Sequence, residues 1–470
     1  MLIRSNLLPF VCLFSSLIST SCTVGPDFKR PEMKLSARWK QQADMSDLAL
    51  PDAWWGLFQN RALNDLVNRA LLYNQDLASA EARVATARAM LGVDRAAWFP
   101  QFSMENRATY EQLSANSIGA NLPPGVPLPP LERDRHQAFG NLSYEVDLWG
   151  KVRRAVEASK ARESASVDNL AAQRLVVAAE VSRSFFQIAS LDAQEAILQE
   201  TIGLRQESLS LQQSRFQGGL ANEMDVARSR TELALAKNDK INIERQRGNA
   251  ENALAVLCGE LPSSFRLAQN RHLPSPPRLA AGVPSTLLQR RPDIRVAEQA
   301  MREANANVGV AKANFYPAFS LVGNGGLESV GAEDFLEWKS RTANLGPQLS
   351  IPLFQGGRLR GNMRSAQAKY EETVAAYRKS ILTALGEVEN AMLDVNAYGR
   401  QREAVGAAVA ASQETSKLAR LRYDKGLASY FEVVDADRTV LTTRLLQAQL
   451  DGQHLTATVQ LIRALGGGWK

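Results

Sequence analysis

The sequence predicts a mainly α-helical protomer that carries a β-sheet part suited to a membrane barrel and is built as a tandem repeat. Three observations predict this: an internal duplication, two helical stretches far longer than a globular core is thick, and four alternating strand segments.

Ala97-Trp98-Phe99-Pro100-Gln101-Phe102-Ser103 is matched by Asn314-Phe315-Tyr316-Pro317-Ala318-Phe319-Ser320. Arg215-Phe216-Gln217-Gly218-Gly219-Leu220-Ala221 is matched by Arg422-Tyr423-Asp424-Lys425-Gly426-Leu427-Ala428, and Leu257-Cys258-Gly259 by Leu465-Gly466-Gly467. The matches keep their order at nearly the same offset. Each half therefore reads as helix, strand pair, long helix, tight turn, shorter helix. This divides the chain into 1–21, a signal; 22–60, a tether; 61–260, the first repeat; 261–284, a Pro-rich connector; and 285–470, the second repeat.

At the N-terminus, Arg4 and the apolar run Leu7, Leu8, Phe10, Val11, Leu13, Phe14, Leu17 and Ile18 lead to Ser19-Thr20-Ser21-Cys22. That is the layout of an export signal, too short and interrupted to span a bilayer. Cys12 falls inside the signal. Cys22 and Cys258 cannot build a disulfide framework, and a lone cysteine at a signal's end points to lipid attachment after cleavage. Ser19 stands where a lipid-attachment signal normally has Leu or Val. From Thr23 to Pro51 the chain is polar and extended, and Trp54-Trp55 precedes a helix expected from about Leu63 to Trp98.

The strand pairs follow Pro100 and Pro317. Phe102, Met104, Ala108 and Tyr110 alternate with polar residues in the first strand, and Ala138, Gly140, Leu142, Tyr144, Val146 and Leu148 in the second. The third, Ala318 to Gly326, is glycine-rich, and in the fourth Ala343, Leu345, Pro347, Leu349, Ile351 and Leu353 alternate. Such strands fit a transmembrane barrel or an ordinary half-buried sheet. Helix length favours the barrel: Lys151 to Arg215 and Arg358 to Tyr423 each hold roughly 65 residues, roughly 95 Å of helix. Leu359, Met363, Ala366, Tyr370, Thr373 and Tyr377 step 4-3-4-3-4, and Ile381, Ala384, Val388, Ala391, Val395 and Tyr398 repeat the pattern after a stutter. Ala155, Ala158, Ala161, Ala165, Ala171, Ala172, Ala178 and Ala179 let the first long helix approach its neighbours. Two short helices end to end match one long helix, with strands at one end and the turn at the other. Four strands cannot close a barrel in lipid, so a spanning sheet requires several copies.

Other classes are disfavoured. The chain of 470 residues is 45% hydrophobic with mean hydropathy -0.23, too polar for a multi-helix membrane protein. Its charge of +6 is interleaved along helices (Glu157, Lys160, Arg162, Glu163) rather than gathered on a nucleic-acid-binding patch. His136, His272 and His454 are widely spaced and read as surface or packing residues; neither Gly356-Gly357 nor Gly466–Gly468 is a phosphate loop. No enzyme, metal site or cofactor is expected, beyond a covalent lipid on Cys22. A coiled-coil rod or adhesin lipoprotein would need neither alternating strands nor duplication.

The residues resemble the TolC/NodT-type outer-membrane factors, especially their OprM-like lipoprotein branch. The likeness covers nearly the whole mature chain: Cys22-Thr23-Val24-Gly25-Pro26-Asp27-Phe28, Trp54-Trp55 with Phe58, Tyr144-Glu145-Val146-Asp147-Leu148-Trp149-Gly150, Leu287-Leu288-Gln289-Arg290-Arg291-Pro292-Asp293-Ile294, Pro352-Leu353-Phe354-Gln355-Gly356-Gly357-Arg358 and Ala464-Leu465-Gly466-Gly467-Gly468-Trp469. The resemblance implies a homotrimer with a 12-stranded β-barrel in the outer membrane and a 12-helix α-barrel in the periplasm. It implies the exit duct of a tripartite efflux system, working with a periplasmic adaptor and an inner-membrane pump of RND type. A type I secretion duct is the alternative. Segments from Leu122 to Pro130 and from about Leu327 to Thr342 would be external loops, and the connector would join a belt around the helices.

The resemblance also assigns sites. Gly218, Gly219, Leu220, Ala221, Gly426, Leu427 and Ala428 would form periplasmic tips that meet the adaptor, the glycines reversing the chain there. Glu432 and Asp435, three apart and on one helix face, would ring the entrance with carboxylates that favour cations, with Asp225 at the matching place of the first repeat. Glu432 stands where Asp is common, and Ala428 where some relatives carry Arg.

Overall fold

A computed structural model of the chain describes residues 23–41, 50–116, 130–270, 273–277, 279, 282 and 284–468. The signal, Cys22, the loop from Leu122 to Pro129, His272 and Trp469 lie outside the described residues.

After a 3-10 turn, Trp54–Phe58, come α1 (Arg61–Tyr73), α2 (Gln75–Ala96), β1 (Gln101–Gln112), β2 (Glu132–Val146), α3 (Lys151–Gln217) and α4 (Glu223–Leu257). The second half contributes one turn α5 (Leu287–Arg290), α6 (Pro292–Ala313), β3 (Ala318–Ser329), β4 (Arg341–Ser350), α7 (Arg358–Asp424) and α8 (Tyr430–Ala464). From α3 onward every boundary in the first half has a counterpart at one constant interval: Lys151 and Arg358, Gln217 and Asp424, Glu223 and Tyr430, Leu257 and Ala464. That interval pairs Gly259 with Gly466, both with positive φ (71° and 94°) at a helix end. The match of Leu257 with Leu465 is therefore displaced by one residue.

The helix expected from Leu63 to Trp98 is two helices. Asn74 ends the first and starts the second: its Oδ1 accepts from the amides of Asp76 (2.9 Å) and Leu77 (3.1 Å), while its Nδ2 donates to the Leu257 carbonyl (2.9 Å) at the end of α4. The second repeat breaks at the same place. Arg291, buried just before α6, donates to the Ala464 carbonyl at the end of α8 (3.0 Å) and pairs with Asp293 and Glu387. Each repeat thus spends a buried polar side chain on the orphan carbonyls of its returning helix.

The chain forms two compact units, each drawn from both repeats. One comprises residues up to Pro31, Ala85–Ala165 and Glu298–Ala376 and holds the sheet. Its four strands are antiparallel in the order β1-β2-β3-β4. The register aligns Phe102 with Leu142, Leu142 with Gly323 and Gly323 with Leu345. With a period of two, this places the apolar residues of all four strands on one face. On the edge strands that face is uncovered, Phe102 being 77% exposed, Met104 71% and Leu345 69%, while Leu142 and Leu321 of the central strands are half-buried between their neighbours. A half-buried sheet of a soluble domain would hide these side chains, so of the two readings of the alternation the barrel strand fits better. The third strand runs past Gly326 to Ser329, and the fourth stops at Ser350 before Pro352 rather than reaching Leu353. Among the described residues no helix is long and apolar enough to cross a membrane.

The other unit comprises Glu32–Val84, Ser166–Ala297 and Tyr377–Lys470. Its largest core gathers Trp54, Phe58, Leu63, Phe185, Phe186, Leu254, Leu455 and Ile462. Cys258 is buried within it, which pushes its thiol up to about 11 and leaves it a packing residue. Helices α3 and α7 hold 67 residues each. In α7 the stripe Tyr377, Ile381, Ala384, Val388 and Ala391 is buried, as its spacing predicts. In α3, Ala178 and Ala179 are buried, and α8 approaches so closely that a Cβ on Gly452 would lie 2.5 Å from that of Ser190.

Candidate functional site: the helical tips and the tethered sheet

Both long helices end in the same backbone motif. The amide of Leu220 donates to the Arg215 carbonyl (2.7 Å) and that of Leu427 to Arg422 (2.8 Å), closing a Schellman turn at each tip. The turn needs a left-handed residue, which Gly219 (φ 73°) and Gly426 (φ 72°) supply. Gly218 lies inside the first turn, and Ala221 and Ala428 are partly covered. Leu220 and Leu427 project instead, 81% and 66% exposed. Two equivalent leucines left in water are the part of the tips that reversing the chain does not explain.

The next turn carries the carboxylates. Ser429 caps α8 and Glu432 completes a reciprocal capping box; Glu432 also pairs with Arg422 at 3.6 Å. Asp225 holds the same third position in α4, whose cap is Asn222. Asp435 is exposed one turn beyond Glu432 on the same face, and its counterpart in the first repeat is Arg228. Glu432 and Asp435 therefore stand together; among the described residues no hydrogen bond or ion pair joins either to Asp225. The Ser-x-x-Glu spacing is legible in sequence, and gives Glu432 a structural duty besides its charge.

Sequence reasoning missed the polar network behind the tips. Glu232 on α4 is buried, receiving Arg205 of α3 (3.0 Å) and Arg438 of α8. Its hydrogen bond holds the Arg438 guanidinium above the ordinary arginine value. The Tyr430 hydroxyl lies 2.8 Å from both Ser208 of α3 and Ser229 of α4. Tyr423 of α7 exchanges hydrogen bonds with Gln212 of α3 and lies under the Arg215 guanidinium. Asp437 receives Ser416 and Arg420 of α7. A cavity of about 180 Å³ lies among these groups. Four helices from both repeats are thus fastened by hydroxyls and ion pairs, beside small apolar clusters of Leu209 with Val226 and Leu233 and of Tyr430 with Val433 and Val434. No periodicity announces these contacts, because they join residues far apart in the chain.

In the unit that holds the sheet, the tether is pinned where β2 becomes α3. The Val24 amide donates to the Trp149 carbonyl (3.0 Å), and a Cβ on Gly150 would strike Thr23. Arg154 binds Asp27 (2.9 Å), Asn305 donates to the Pro26 carbonyl (2.9 Å), and Arg302 lies over the Phe28 ring (4.6 Å). Cys22, outside the described residues, directly precedes this anchored stretch.

Comparison with known proteins identifies these features as a set. Residues 66–260 and 283–467 match the family described as outer membrane efflux protein. The chain is 31% identical to the solvent efflux pump outer membrane protein SrpC of Pseudomonas putida, covering 97% of each protein. It is 30% identical to the outer membrane protein OprJ of Pseudomonas aeruginosa, over 97% of this chain and 95% of that one. Among solved structures, the outer-membrane channel OprN superposes with a TM-score of 0.87 at 29% identity, over 95% of this chain and all of that one (100%).

Proposed function

The chain belongs to the outer membrane efflux protein family, and from that premise we propose that three copies form the exit duct of a tripartite efflux system. It is an outer-membrane channel that passes substrates from an inner-membrane pump and a periplasmic adaptor to the outside. The observation that carries the trimer is the sheet: an apolar face exposed on its edge strands and, on β1 and β4, two edges that pair with no further strand among the described residues. In lipid such edges must be closed, and four strands are too few to close on themselves. Three copies supply a 12-stranded β-barrel, with the long and composite helices continuing it as a 12-helix α-barrel. The exposed Leu220 and Leu427 then serve as contacts for the adaptor, and the inner-membrane partner is an efflux pump, of RND type by the family resemblance. Purified full-length protein should run as a trimer and conduct ions in planar bilayers. A chain that stays monomeric and inserts no pore would sink this reading.

A lipid on Cys22 completes the proposal. Thr23, the next residue, packs against Gly150 at the junction of strand and helix, so a lipid attached one residue earlier would join the chain where its anchored stretch begins. Cells expressing Cys22→Ala should lose palmitate labelling of this protein entirely. Labelling that persists would mean that the anchor is elsewhere.

A further inference from the structure

We propose that the open edges of the sheet are locked between copies by a charge clasp at its outer end, in which Arg341 of one copy engages the Tyr110–Glu132–Asp134 cluster of the next. This rests on the trimer proposed above and names what holds its barrel shut.

The two faces of the sheet treat charge differently. On the polar face charges are matched within one copy: Glu111 pairs with Arg133 (3.1 Å) and Arg135 (3.5 Å), and Arg135 reaches Glu328 (2.5 Å). The apolar face carries charges at its outer end only. Tyr110 stands opposite Asp134, and Gln112 opposite Glu132, so all four share that face with Phe102 and Met104. The Tyr110 hydroxyl is hydrogen-bonded to Glu132, and both carboxylates are exposed. Arg341 lies opposite Leu327 on the same face, exposed, with its guanidinium 3.6 Å from the Trp338 ring centre. Among the described residues, Arg341, Glu132 and Asp134 form no ion pair. The cation belongs to edge strand β4, and the anionic cluster to edge strand β1 with its neighbour β2.

Register brings these edges to one level. Along a line of hydrogen bonds Arg341 aligns with Leu327, Ala138 and Asn106, well short of Tyr110. The strands drift, however. Pairing of β1 with β2 continues out to Gln112–Glu132, that of β2 with β3 ends at His136–Ser329, and that of β3 with β4 ends at Leu327–Arg341. At the helix end β2 runs past Ser143, the partner of Gln101, to Val146. From β1 to β3 each strand is thus displaced toward the helices relative to the one before, while β4 ends level with β3 there, Ser350 opposite Ala318, and is drawn in only at its outer end. Such stagger is the shear that a closed barrel requires. Continued by one more strand, it sets Arg341 beside the outer end of β1 in the next copy, at Tyr110 to Gln112. Neighbouring strands lie about 4.8 Å apart, so a guanidinium laid along the sheet spans from the Tyr110 hydroxyl toward the two carboxylates.

The test uses full-length protein in neutral detergent, reading the monomer fraction against temperature. Arg341→Glu should raise the trimer dissociation constant at the wild-type midpoint temperature by roughly tenfold, the scale of three cross-strand ion pairs lost. Glu132→Arg with Asp134→Arg should do the same, Arg341→Gln should do less, and the combined charge reversal should restore the wild-type curve. An unchanged Arg341→Glu curve, or reversals that add without rescue, overturns the clasp while leaving the trimer standing. If Arg341→Glu weakens the trimer only in vesicles containing a phosphorylated glycolipid, Arg341 holds a lipid phosphate and the clasp is wrong. A wild-type chain that never forms trimers removes both the clasp and the duct reading beneath it.

Discussion

Glu232→Ala is expected to loosen the helical tips by about 3–5 kcal/mol, the cost of stripping one partner from a buried charge cluster. Glu232 is 5% exposed and holds Arg205 and Arg438 from two other helices. Without it, Arg205, itself largely covered, keeps its charge and loses its counterion. Other links between α4 and α8 near the tips are weaker: the neutral hydrogen bond of Ser229 with Tyr430 contributes about 1 kcal/mol, and the Arg228 guanidinium over the Phe431 ring a similar amount of about 0.5–1 kcal/mol. The amides of Glu223 to Ile243 and Tyr430 to Leu441 should therefore lose protection in hydrogen exchange by roughly a hundredfold or more, while the sheet keeps its own. Arg438→Ala alone should cost less, because Arg438 is half exposed and Glu232 would keep Arg205. Unaltered protection of the tips in Glu232→Ala would show that this cluster carries no load.

The parts of this molecule governed by local rules were legible, and those governed by distant contacts were not. The ends of the long helices are legible to within two residues, because Gly218, Gly219 and Gly426 stop them, and an apolar stripe in α7 and small residues in α3 mark their packed faces. The strands were legible from alternation, but their ends were not: glycines hid the outer part of β3, and apolar Ile351 and Leu353 lie beyond the end of β4, where no pairing continues. Asn74 breaks a helix without Gly or Pro, and its reason, the Leu257 carbonyl, lies far along the chain. Glu432 and Asp435 are singled out by the family resemblance, and their spacing adds only that they share a helix face. Glu232 was not legible, since nothing local distinguishes it from a solvated helix charge; its burial depends on α3 and α8 arriving on either side.

Structural and electrostatic duties are mixed at the candidate entrance, and two substitutions should separate them. Asp435→Ala removes an exposed carboxylate with no capping duty; Glu432→Ala removes one that also closes the capping box of α8 and pairs with Arg422. Loss of the box should cost about 1 kcal/mol of local stability in Glu432→Ala and none in Asp435→Ala. In a trimer both residues repeat around one axis, so their fields add where the passage is narrow. A unit charge roughly 6 Å from a passing ion in water contributes about 0.7 kcal/mol, about threefold in favour of a cation and about threefold against an anion, or about a tenfold bias between them before screening. Asp435→Ala should therefore lower the cation-to-anion permeability ratio in planar bilayers by at least about threefold, and the double variant by more. The difference should shrink above roughly 1 M salt, where the screening length falls to about 3 Å. A double variant with wild-type selectivity at low salt would move the selective element elsewhere, most directly to the charged outer end of the sheet around Glu111, Arg133, Arg135 and Glu328.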